Sequence, residues 1–322
     1  MNKLLVILGP TGVGKTELSL RLAQDYSCDI VNADSRQIYH AIPIGTAAPT
    51  EEERARVKHH FVGIKDLHES YNAGQYERDC VELLNTLSHQ HSHPQNPFAI
   101  LTGGSMMYID AVCQGLDDIP TIPIPIRDKI NSEYELKGLT WLQNEVRQTD
   151  PIYWEIVDQN NPQRLKHALE VYRLTHCPYS SFRKKALNNS STIRPWEIVY
   201  IGLNRDRESL YKRINLRVDA MIKDGLLEEA NQAFHAVLGD RDWKNQTLPN
   251  SLNTVGYKEL FAYFTGTYTL EEAIEKIKQN SRHYAKRQMT WFNKNKHINW
   301  INANDSYEKQ MDAVHTYLVS TR

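Results

Sequence analysis

The sequence predicts an α/β fold, in which a P-loop parallel sheet is flanked by helices and carries a helical insertion and a helical carboxyl-terminal region. Three observations support this prediction. The apolar run Leu4–Leu8 leads directly into the glycine-rich segment Gly9–Thr16. Short apolar runs then alternate with amphipathic stretches as far as residue 115, and helical periodicity dominates after Asp206. Strands separated by helical segments favour a parallel sheet that is covered on both faces.

The individual elements follow from the hydrophobic pattern along the chain. Strands are predicted at Leu4–Leu8, Asp29–Val31, Phe61–Ile64, Phe98–Leu101 and Trp196–Leu203. Helices are predicted at Glu17–Asp25, Ala73–His89, Arg127–Lys137, Leu139–Thr149, Gln163–Thr175, Ser209–Lys223, Leu226–Leu238, Thr254–Phe264 and Leu270–Asn293. Three prolines between Pro120 and Pro125 predict an extended connector, because proline cannot continue a helix.

These changes of character divide the chain into three segments. Residues 1–118 are expected to form the first part of the sheet core. Residues 119–195 are expected to form a helical insertion, with a loop at Asn188–Thr192. Residues 196–322 would supply one strand that completes the core, followed by the carboxyl-terminal helices.

Bulk composition narrows the class of protein. The 322 residues carry a formal net charge of −1, and no apolar run approaches the roughly 20 residues that a membrane helix needs. The four cysteines form no C-x-x-C pair, which is typical of reduced cysteines in a cytoplasmic protein and argues against a zinc site. We therefore expect a cytoplasmic protein without a membrane span, and we expect it to act as a monomer.

The charge is unevenly distributed. Pro162–Pro195 contains seven Lys or Arg and one acidic residue, and Lys276–Lys296 contains seven Lys or Arg and no acidic residue. Two such stretches in a near-neutral chain indicate a polyanionic partner such as nucleic acid, although each alone could be a solvated helix face. Within Ser281–Phe292 the cations alternate with aromatic residues, a mixture that suits RNA, and some of these aromatic residues are expected in the core.

The segment Gly9-Pro-Thr-Gly-Val-Gly-Lys-Thr16 is a phosphate-binding P-loop. Its glycines allow backbone N–H groups to converge on phosphate oxygens, and the helix that follows favours an anion at its amino terminus. Lys15 adds a positive charge, and the hydroxyl of Thr16 is placed for Mg²⁺. The loop predicts binding of a di- or triphosphate, with contacts at Gly9, Thr11, Gly12, Gly14, Lys15 and Thr16.

Other polar residues follow the predicted strands. Asp34 comes after the second strand, where it could ligate Mg²⁺ through water, accept a proton, or simply form an Asx turn. The strand that ends in Leu101-Thr-Gly-Gly-Ser105 carries no carboxylate of the kind that nucleotide hydrolases use. Arg213 and Arg217 share one helix face, where they could clamp a phosphate or form surface ion pairs.

Taken together and in order, these segments resemble the bacterial tRNA dimethylallyltransferase (isopentenyltransferase) family. The matching stretches are GPTGVGKT, NADSRQIY, IPIGTAAP, ILTGGSMMY, QRLKHALEVYR, RINLRVDAMIKDGLLEE, NTVGYKEL and RHYAKRQMTWF, which run from residue 9 to residue 292. The family transfers a dimethylallyl group from dimethylallyl diphosphate to the exocyclic amine of the adenosine 3′ of the tRNA anticodon. Diphosphate is released.

The resemblance assigns roles to residues of this chain. Asp34 would accept the proton of the amine, while Lys15, Arg217 and Thr16 with Mg²⁺ would neutralise the departing diphosphate. Contacts to the anticodon stem-loop are implied for Asp34, Ser35, Arg36, Gln37, Ser105, Arg127, Gln163, Arg164, Lys166 and His167. The basic run at Arg183, Lys184 and Lys185 is expected to meet RNA phosphates as well.

Two other functions fit parts of the pattern. A P-loop small-molecule kinase would bind ATP in the same loop and use Asp34 as a base toward an acceptor hydroxyl. A nucleotide-gated RNA-binding switch without chemistry would explain the basic stretches but gives Asp34 no role. The helical insertion and the long helical carboxyl-terminal region are more than a small kinase needs.

Overall fold

The computed structural model describes residues 2–91, 93, 96–117, 119–183, 194–239 and 248–320. The chain divides into two compact units, one formed by Met1–Cys113 with Arg194–Arg322 and the other by Gln114–Ile193. The sequence placed these divisions after residues 118 and 195. The predicted loop Asn188–Thr192 and the cations Lys184 and Lys185 lie outside the described residues. Among the described residues, no helix combines the length and apolar character needed to cross a membrane.

The first unit is built on a six-stranded parallel sheet, which confirms the predicted fold class. Its strands are β1 (Lys3–Leu8), β2 (Asp29–Asn32), β3 (His59–His60), β4 (Pro97–Thr102), β5 (Glu197–Asn204) and β6 (Asn299–Asn302). They lie in the order β3-β2-β4-β1-β5-β6, and every neighbouring pair is parallel.

Two strand predictions were wrong. The third strand was predicted at Phe61–Ile64, but β3 ends at His60 because Phe61 and Gly63 adopt positive φ angles of 61° and 62°. Phe61 packs against the core from this turn instead of from a strand. Only one strand was predicted after residue 195, yet β6 follows β5 as an edge strand. Its sequence, Asn-Trp-Ile-Asn, carries too weak a hydrophobic pattern to be recognised.

Helices cover the sheet and form the second unit. They are α1 (Lys15–Tyr26), α2 (Pro43–Thr46), α3 (Glu51–Arg56), α4 (Ala73–Gln90), α5 (Met106–Gln114), α6 (Ile124–Thr149), α7 (Pro151–Trp154), α8 (Pro162–Thr175), α9 (Tyr179–Phe182), α10 (Arg207–Lys223), α11 (Leu226–Leu238), α12 (Tyr257–Phe264), α13 (Leu270–Phe292) and α14 (Tyr307–Ser320). The two helices predicted on either side of Gly138 lie within α6, which is interrupted there by a non-helical glycine. The helix α14 was not predicted.

Both faces of the sheet are buried, as a parallel sheet requires. Leu4 and Val6 of β1 belong to one core cluster, which includes residues of α4, α5, α11 and α12. Leu5 and Ile7, which point to the opposite face, belong to a second cluster with residues of α1 and α14. This alternation explains why the strand sequences are almost continuously apolar.

Three loops leave the sheet at the same edge. In the register of the sheet, Thr102 of β4 lies opposite both Ile7 of β1 and Asn32 of β2. The segments that follow these adjacent strands are Gly9–Thr16, the turn at Asp34, and Gly103–Ser105. Their shared position at the carboxyl edge of the sheet creates the candidate site.

The second unit has a helical core of its own. Ile130, Leu142 and Val146 of α6 pack with Leu165 and other apolar residues of α7 and α8. The buried carboxylate of Asp150 accepts hydrogen bonds from the backbone of Tyr153 and from the backbone and hydroxyl of Ser180. This network joins α7 to α9 and satisfies a group that would otherwise be costly to bury.

Candidate active site

The P-loop forms a cradle of backbone N–H groups. Gly9, Gly12 and Gly14 adopt positive φ angles, and a methyl group at Gly9 would lie only 2.6 Å from the carbonyl oxygen of Leu203. Helix α1 begins at Lys15, and no side chain at Gly14 caps its first N–H groups. These free donors and the positive end of the helix dipole form an anion site.

Lys15 lies across the cradle, and no acidic side chain among the described residues is in hydrogen-bond contact with it. Its Nζ donates to the carbonyl oxygens of Gly9 at 2.9 Å and Pro10 at 3.0 Å. Burial lowers the pKa of Lys15 to about 7, and the nearby guanidinium of Arg217 adds to this shift, while Asp34 opposes it. An anion bound in the cradle would counter both causes, so the site is electrostatically prepared for one.

Two arginines of α10 contact the P-loop. Arg217 donates from Nη1 to the hydroxyl of Thr11 at 3.3 Å, and Arg213 donates from Nε to the carbonyl oxygen of Gly12 at 2.9 Å. Burial lowers the pKa of Arg217, and the Asp34 carboxylate opposes the shift. Within the described part of the chain neither arginine forms an ion pair, and Asp219 pairs with Lys278. Both guanidinium groups therefore lie beside the predicted phosphate cradle, where the clamp role stays a prediction.

Asp34 forms the Asx turn, one of the three roles that the sequence left open, with one of its two carboxylate oxygens. Its Oδ1 accepts a hydrogen bond from the backbone N–H of Arg36 at 2.9 Å, which is an Asx turn. Its Oδ2 faces Gly104, where an added methyl group would lie 3.2 Å away, and no donor from the described residues reaches this oxygen. One carboxylate oxygen therefore holds the turn while the other lines the site.

Most of the polar residues near Asp34 form hydrogen bonds that hold the surrounding loops in place. Ser105 is buried, and its Oγ accepts from the backbone N–H of Ser35 at 2.8 Å and donates to the Ser35 hydroxyl. Gln37 donates its amide hydrogens to two carbonyl oxygens of the loop at residues 46–47. Arg36 donates to the side chain of Asn250 at 3.1 Å. Of this group, Ser105 and Gln37 act as scaffold residues in the structure.

Two cavities of about 520 Å³ and 290 Å³ meet at this edge of the sheet. Residues that line both are Thr11, Asp34, Thr46, Arg217 and Tyr284. The larger cavity also contains Gly12, Gly14, Lys15 and Thr16 of the P-loop. The smaller cavity has a mainly apolar wall formed by Ile214, Val218, Met221, Leu226, Val255 and Ile277.

Sequence reasoning missed several residues that hold the site together. Glu229 is buried and accepts hydrogen bonds from the backbone of Ile44 and Gly45 and from the hydroxyl of Tyr257. A methyl group at Gly45 would lie 2.4 Å from that hydroxyl, which explains the glycine in the loop. Gln288 of α13 contacts the P-loop directly. All of these residues lie within the stretches that match the family, but their contacts join residues that are far apart in sequence, so the motifs alone do not show what these residues do.

The basic stretch Lys276–Lys296, most of which lies on α13, contains both structural and exposed cations. Lys278 pairs with Asp219 and Glu275, and Arg282 donates to the side chain of Asn215. Phe292 is buried in the core, as expected for some of these aromatic residues. The exposed cations of the stretch are Lys276, Lys286, Arg287, Lys294 and Lys296. A part of the stretch is therefore structural, and the exposed part remains available to a polyanion.

In the second unit, the residues named for tRNA contact differ in their exposure. Gln163 and Arg164 are exposed at the start of α8. Arg127 and His167 lie 3.7 Å and 3.5 Å from the buried carboxylate of Glu170. Lys166 donates to the side chain of Asn131 and lies over the ring of Tyr134. Of these residues, Gln163 and Arg164 are therefore the most exposed and have the fewest side-chain contacts with the described part of the chain.

Comparisons with known proteins agree with this geometry. A family model described as IPP transferase matches residues 37–295, more than half of the chain. The chain belongs to the IPP transferase family. The family resemblance inferred from the motifs is therefore confirmed.

Relatives match the chain nearly end to end. The tRNA dimethylallyltransferase 2 of Parabacteroides distasonis is 49% identical over 318 residues, 99% of this chain and 98% of that protein. The tRNA dimethylallyltransferase 1 of Phocaeicola vulgatus is 50% identical over 315 residues, 98% of each chain. These matches leave no large part of the chain without a counterpart.

Solved structures of the family share the fold. The full-length tRNA isopentenylpyrophosphate transferase of Bacillus halodurans aligns with a TM-score of 0.69 at 32% identity, covering 99% of this chain and 96% of that one. A eukaryotic dimethylallyltransferase acting on tRNA aligns with a TM-score of 0.81 at 25% identity, covering 100% of this chain and 80% of that one.

Proposed function

We propose that this chain transfers a dimethylallyl group from dimethylallyl diphosphate to the exocyclic amine of the adenosine 3′ of the anticodon in tRNA, releasing diphosphate. The observation that carries the proposal is the lining of the larger cavity, where the P-loop, Arg217 and the free oxygen of Asp34 come together. The near-complete matches to proteins named tRNA dimethylallyltransferase support the same reaction. A phosphate cradle beside one proton acceptor suits substitution at a carbon that bears a diphosphate.

In this reaction the P-loop holds a leaving group. The bond between the allylic carbon and the diphosphate oxygen breaks, and its electron pair stays on the diphosphate. The N–H groups of the loop, Lys15 and Arg217 would stabilise that charge as it develops, and the contacts of Lys15 and Arg217 with the P-loop support this role. The apolar wall of the smaller cavity suits the five-carbon group.

Asp34 would act on the acceptor. The adenine amine is a weak nucleophile because its lone pair is delocalised into the ring, so it must lose a proton as the new carbon–nitrogen bond forms. We assign this proton to Oδ2 of Asp34, while Oδ1 keeps the turn with Arg36. The target base must also leave the stack of the anticodon loop to reach a carboxylate in a cavity.

The residues of the P-loop fit a Mg²⁺ ion that binds together with the diphosphate donor. The exposed hydroxyl of Thr16 lines the larger cavity, and no group of three or more His, Cys, Asp or Glu side chains able to hold a metal occurs among the described residues. Mg²⁺ commonly keeps several waters and binds mainly through substrate phosphates, which suits this donor set. With the donor bound, it would add positive charge against the diphosphate, with Thr16 as its protein ligand.

Two product assays separate this function from that of a kinase. The protein is incubated either with ATP and small acceptors or with dimethylallyl diphosphate and unmodified tRNA, and the products are separated by thin-layer chromatography. We expect a more hydrophobic nucleoside from the second mixture and no ADP from the first. Release of ADP together with an unaltered nucleoside would contradict the proposal.

We also propose that the protein is a cytoplasmic monomer. Light scattering after size-exclusion chromatography would test its oligomeric state.

Arg164 provides a test of RNA binding in the second unit. If its exposed guanidinium contacts a tRNA phosphate, Arg164→Ala should weaken tRNA binding and reduce the log–log salt slope by up to about one unit. The matched control is Arg173→Ala, because Arg173 on the same helix is ion-paired with Glu133 at 2.6 Å. Fluorescence anisotropy over a salt series measures both, and equal slopes for the two variants would exclude Arg164 from the interface.

A further inference from the structure

Gln288 connects two parts of the site that carry different substrates in the proposed reaction. It lies on α13 and is fully buried. Its Oε1 accepts a hydrogen bond from the backbone N–H of Thr11 in the P-loop at 2.8 Å. Its Nε2 donates to the carbonyl oxygen of Gly104 at 2.8 Å. One side chain therefore joins the loop after β1 to the loop after β4.

Each end of this connection leads to a reacting group. Thr11 lies within the P-loop, and its hydroxyl also accepts a hydrogen bond from Arg217. Gly104 is followed by Ser105, which holds the backbone of Ser35, and the site of a Gly104 side chain lies 3.2 Å from the free oxygen of Asp34. Tyr284, one turn earlier on α13, donates to the same Gly104 carbonyl at 3.0 Å. Gln288 thus joins the diphosphate cradle to the support of the proton acceptor.

The chemistry of an amide explains why glutamine occupies this position. The carboxamide offers one acceptor and one donor group at the end of a single side chain, and here both are used on backbone groups. A carboxylate offers no donor, a methionine offers no N–H, and an asparagine is one carbon shorter. A buried hydrogen-bonded amide of this kind is also costly to disrupt, so it fixes the spacing of the groups it joins.

We propose that Gln288 is a positioning residue for dimethylallyl transfer, which sets the distance between the bound donor and Asp34. The inference rests on the proposed function. Its effect should appear in the rate of transfer with both substrates bound, because neither reacting group is removed when Gln288 is changed. A misplacement of about 1 Å between reacting groups is enough to cost about a hundredfold in rate.

The test compares three variants in single-turnover transfer at saturating donor and tRNA. Gln288→Met keeps the volume and loses both hydrogen bonds, whereas Gln288→Glu keeps the acceptor for Thr11 and loses the amide donor. The control is Gln310→Met, since Gln310 on α14 is also buried and donates to a backbone carbonyl, that of Asp305, at 2.7 Å. Thermal unfolding of each variant shows whether the folded state has been weakened.

We expect Gln288→Met to lower the transfer rate about ten- to a hundredfold, with a smaller change in donor and tRNA affinity. Gln310→Met should lower the unfolding temperature and leave the rate within about threefold. The rate of Gln288→Glu relative to the wild type should rise as the pH falls, because a protonated glutamate regains a donor for Gly104. Gln288→Glu also keeps the test available if the methionine variant does not fold.

Two results would overturn the inference. One is a transfer rate in Gln288→Met no lower than in Gln310→Met. The other is a Gln288→Glu rate that stays at the level of Gln288→Met throughout the pH series. A wild-type protein that forms no prenylated nucleoside would instead overturn the proposed function, so the two failures can be told apart.

Discussion

Replacing Lys15 with alanine is expected to reduce the rate of dimethylallyl transfer by about 10²–10³-fold, the range typical for loss of one charge-stabilising group. Lys15 is partly buried, and among the described residues its ammonium group donates to the carbonyl oxygens of Gly9 and Pro10 in the P-loop. The leaving diphosphate would lose this charge in the transition state. Single-turnover kinetics with labelled donor and saturating tRNA measure the effect, and the exposed Lys212→Ala on α10 is the control.

The binding of ATP gives the same experiment a second readout. We expect ATP to compete only weakly with dimethylallyl diphosphate, because the sequence after the P-loop shows no pattern that indicates an adenine pocket. Tight ATP binding with phosphoryl transfer to a small acceptor would favour the kinase. A Lys15→Ala rate equal to that of Lys212→Ala would remove Lys15 from the catalytic set.

Replacing Asp34 with asparagine should reduce turnover by about 10²–10⁴-fold, the usual contribution of a general base. Asparagine keeps the shape and the oxygen that accepts from the Arg36 backbone, so the Asx turn is retained while the proton acceptor is lost. Affinity for tRNA should change little. Turnover is measured by incorporation of labelled dimethylallyl groups, and affinity by filter binding.

The control for the Asp34 variant is the same substitution at another carboxylate, Asp110. Asp110 accepts a hydrogen bond from the indole of Trp291 at 2.7 Å, a role that asparagine can also fill. Asp110→Asn should therefore retain near-normal turnover. If Asp34→Asn behaved in the same way, Asp34 would be a turn-forming residue and another group would have to take the proton.

Local patterns predicted much of this molecule. The P-loop requires an apolar strand, a glycine-rich turn and a helix in immediate succession, so its motif is recognisable from the sequence alone. Asp34 was recognisable because it directly follows a strand. Strands such as β4, which is buried from Pro97 to Leu101, have a continuous apolar signal that sequence analysis detects readily.

The features that were missed depend on contacts or geometry that no short window contains. Gln288 is separated from Thr11 by 277 residues, and Tyr257 from Glu229 by 28 residues. Phe61 has the apolar character of a strand residue, but its positive φ angle ends the strand. The weak strand β6 is held by its pairing with β5 more than by its own pattern. Contacts between distant parts of the chain and local backbone geometry, which the hydrophobic pattern does not show, decided these cases.

The most direct test of the central claim is mass spectrometry of nucleosides from a tRNA transcript that was incubated with the purified protein, dimethylallyl diphosphate and Mg²⁺. The account predicts that the adenosine 3′ of the anticodon gains one dimethylallyl group in place of one hydrogen, and that one diphosphate is released for each modified tRNA. A transcript with another base at that position should stay unmodified. An unmodified adenosine in the presence of folded protein, donor and tRNA would contradict the account.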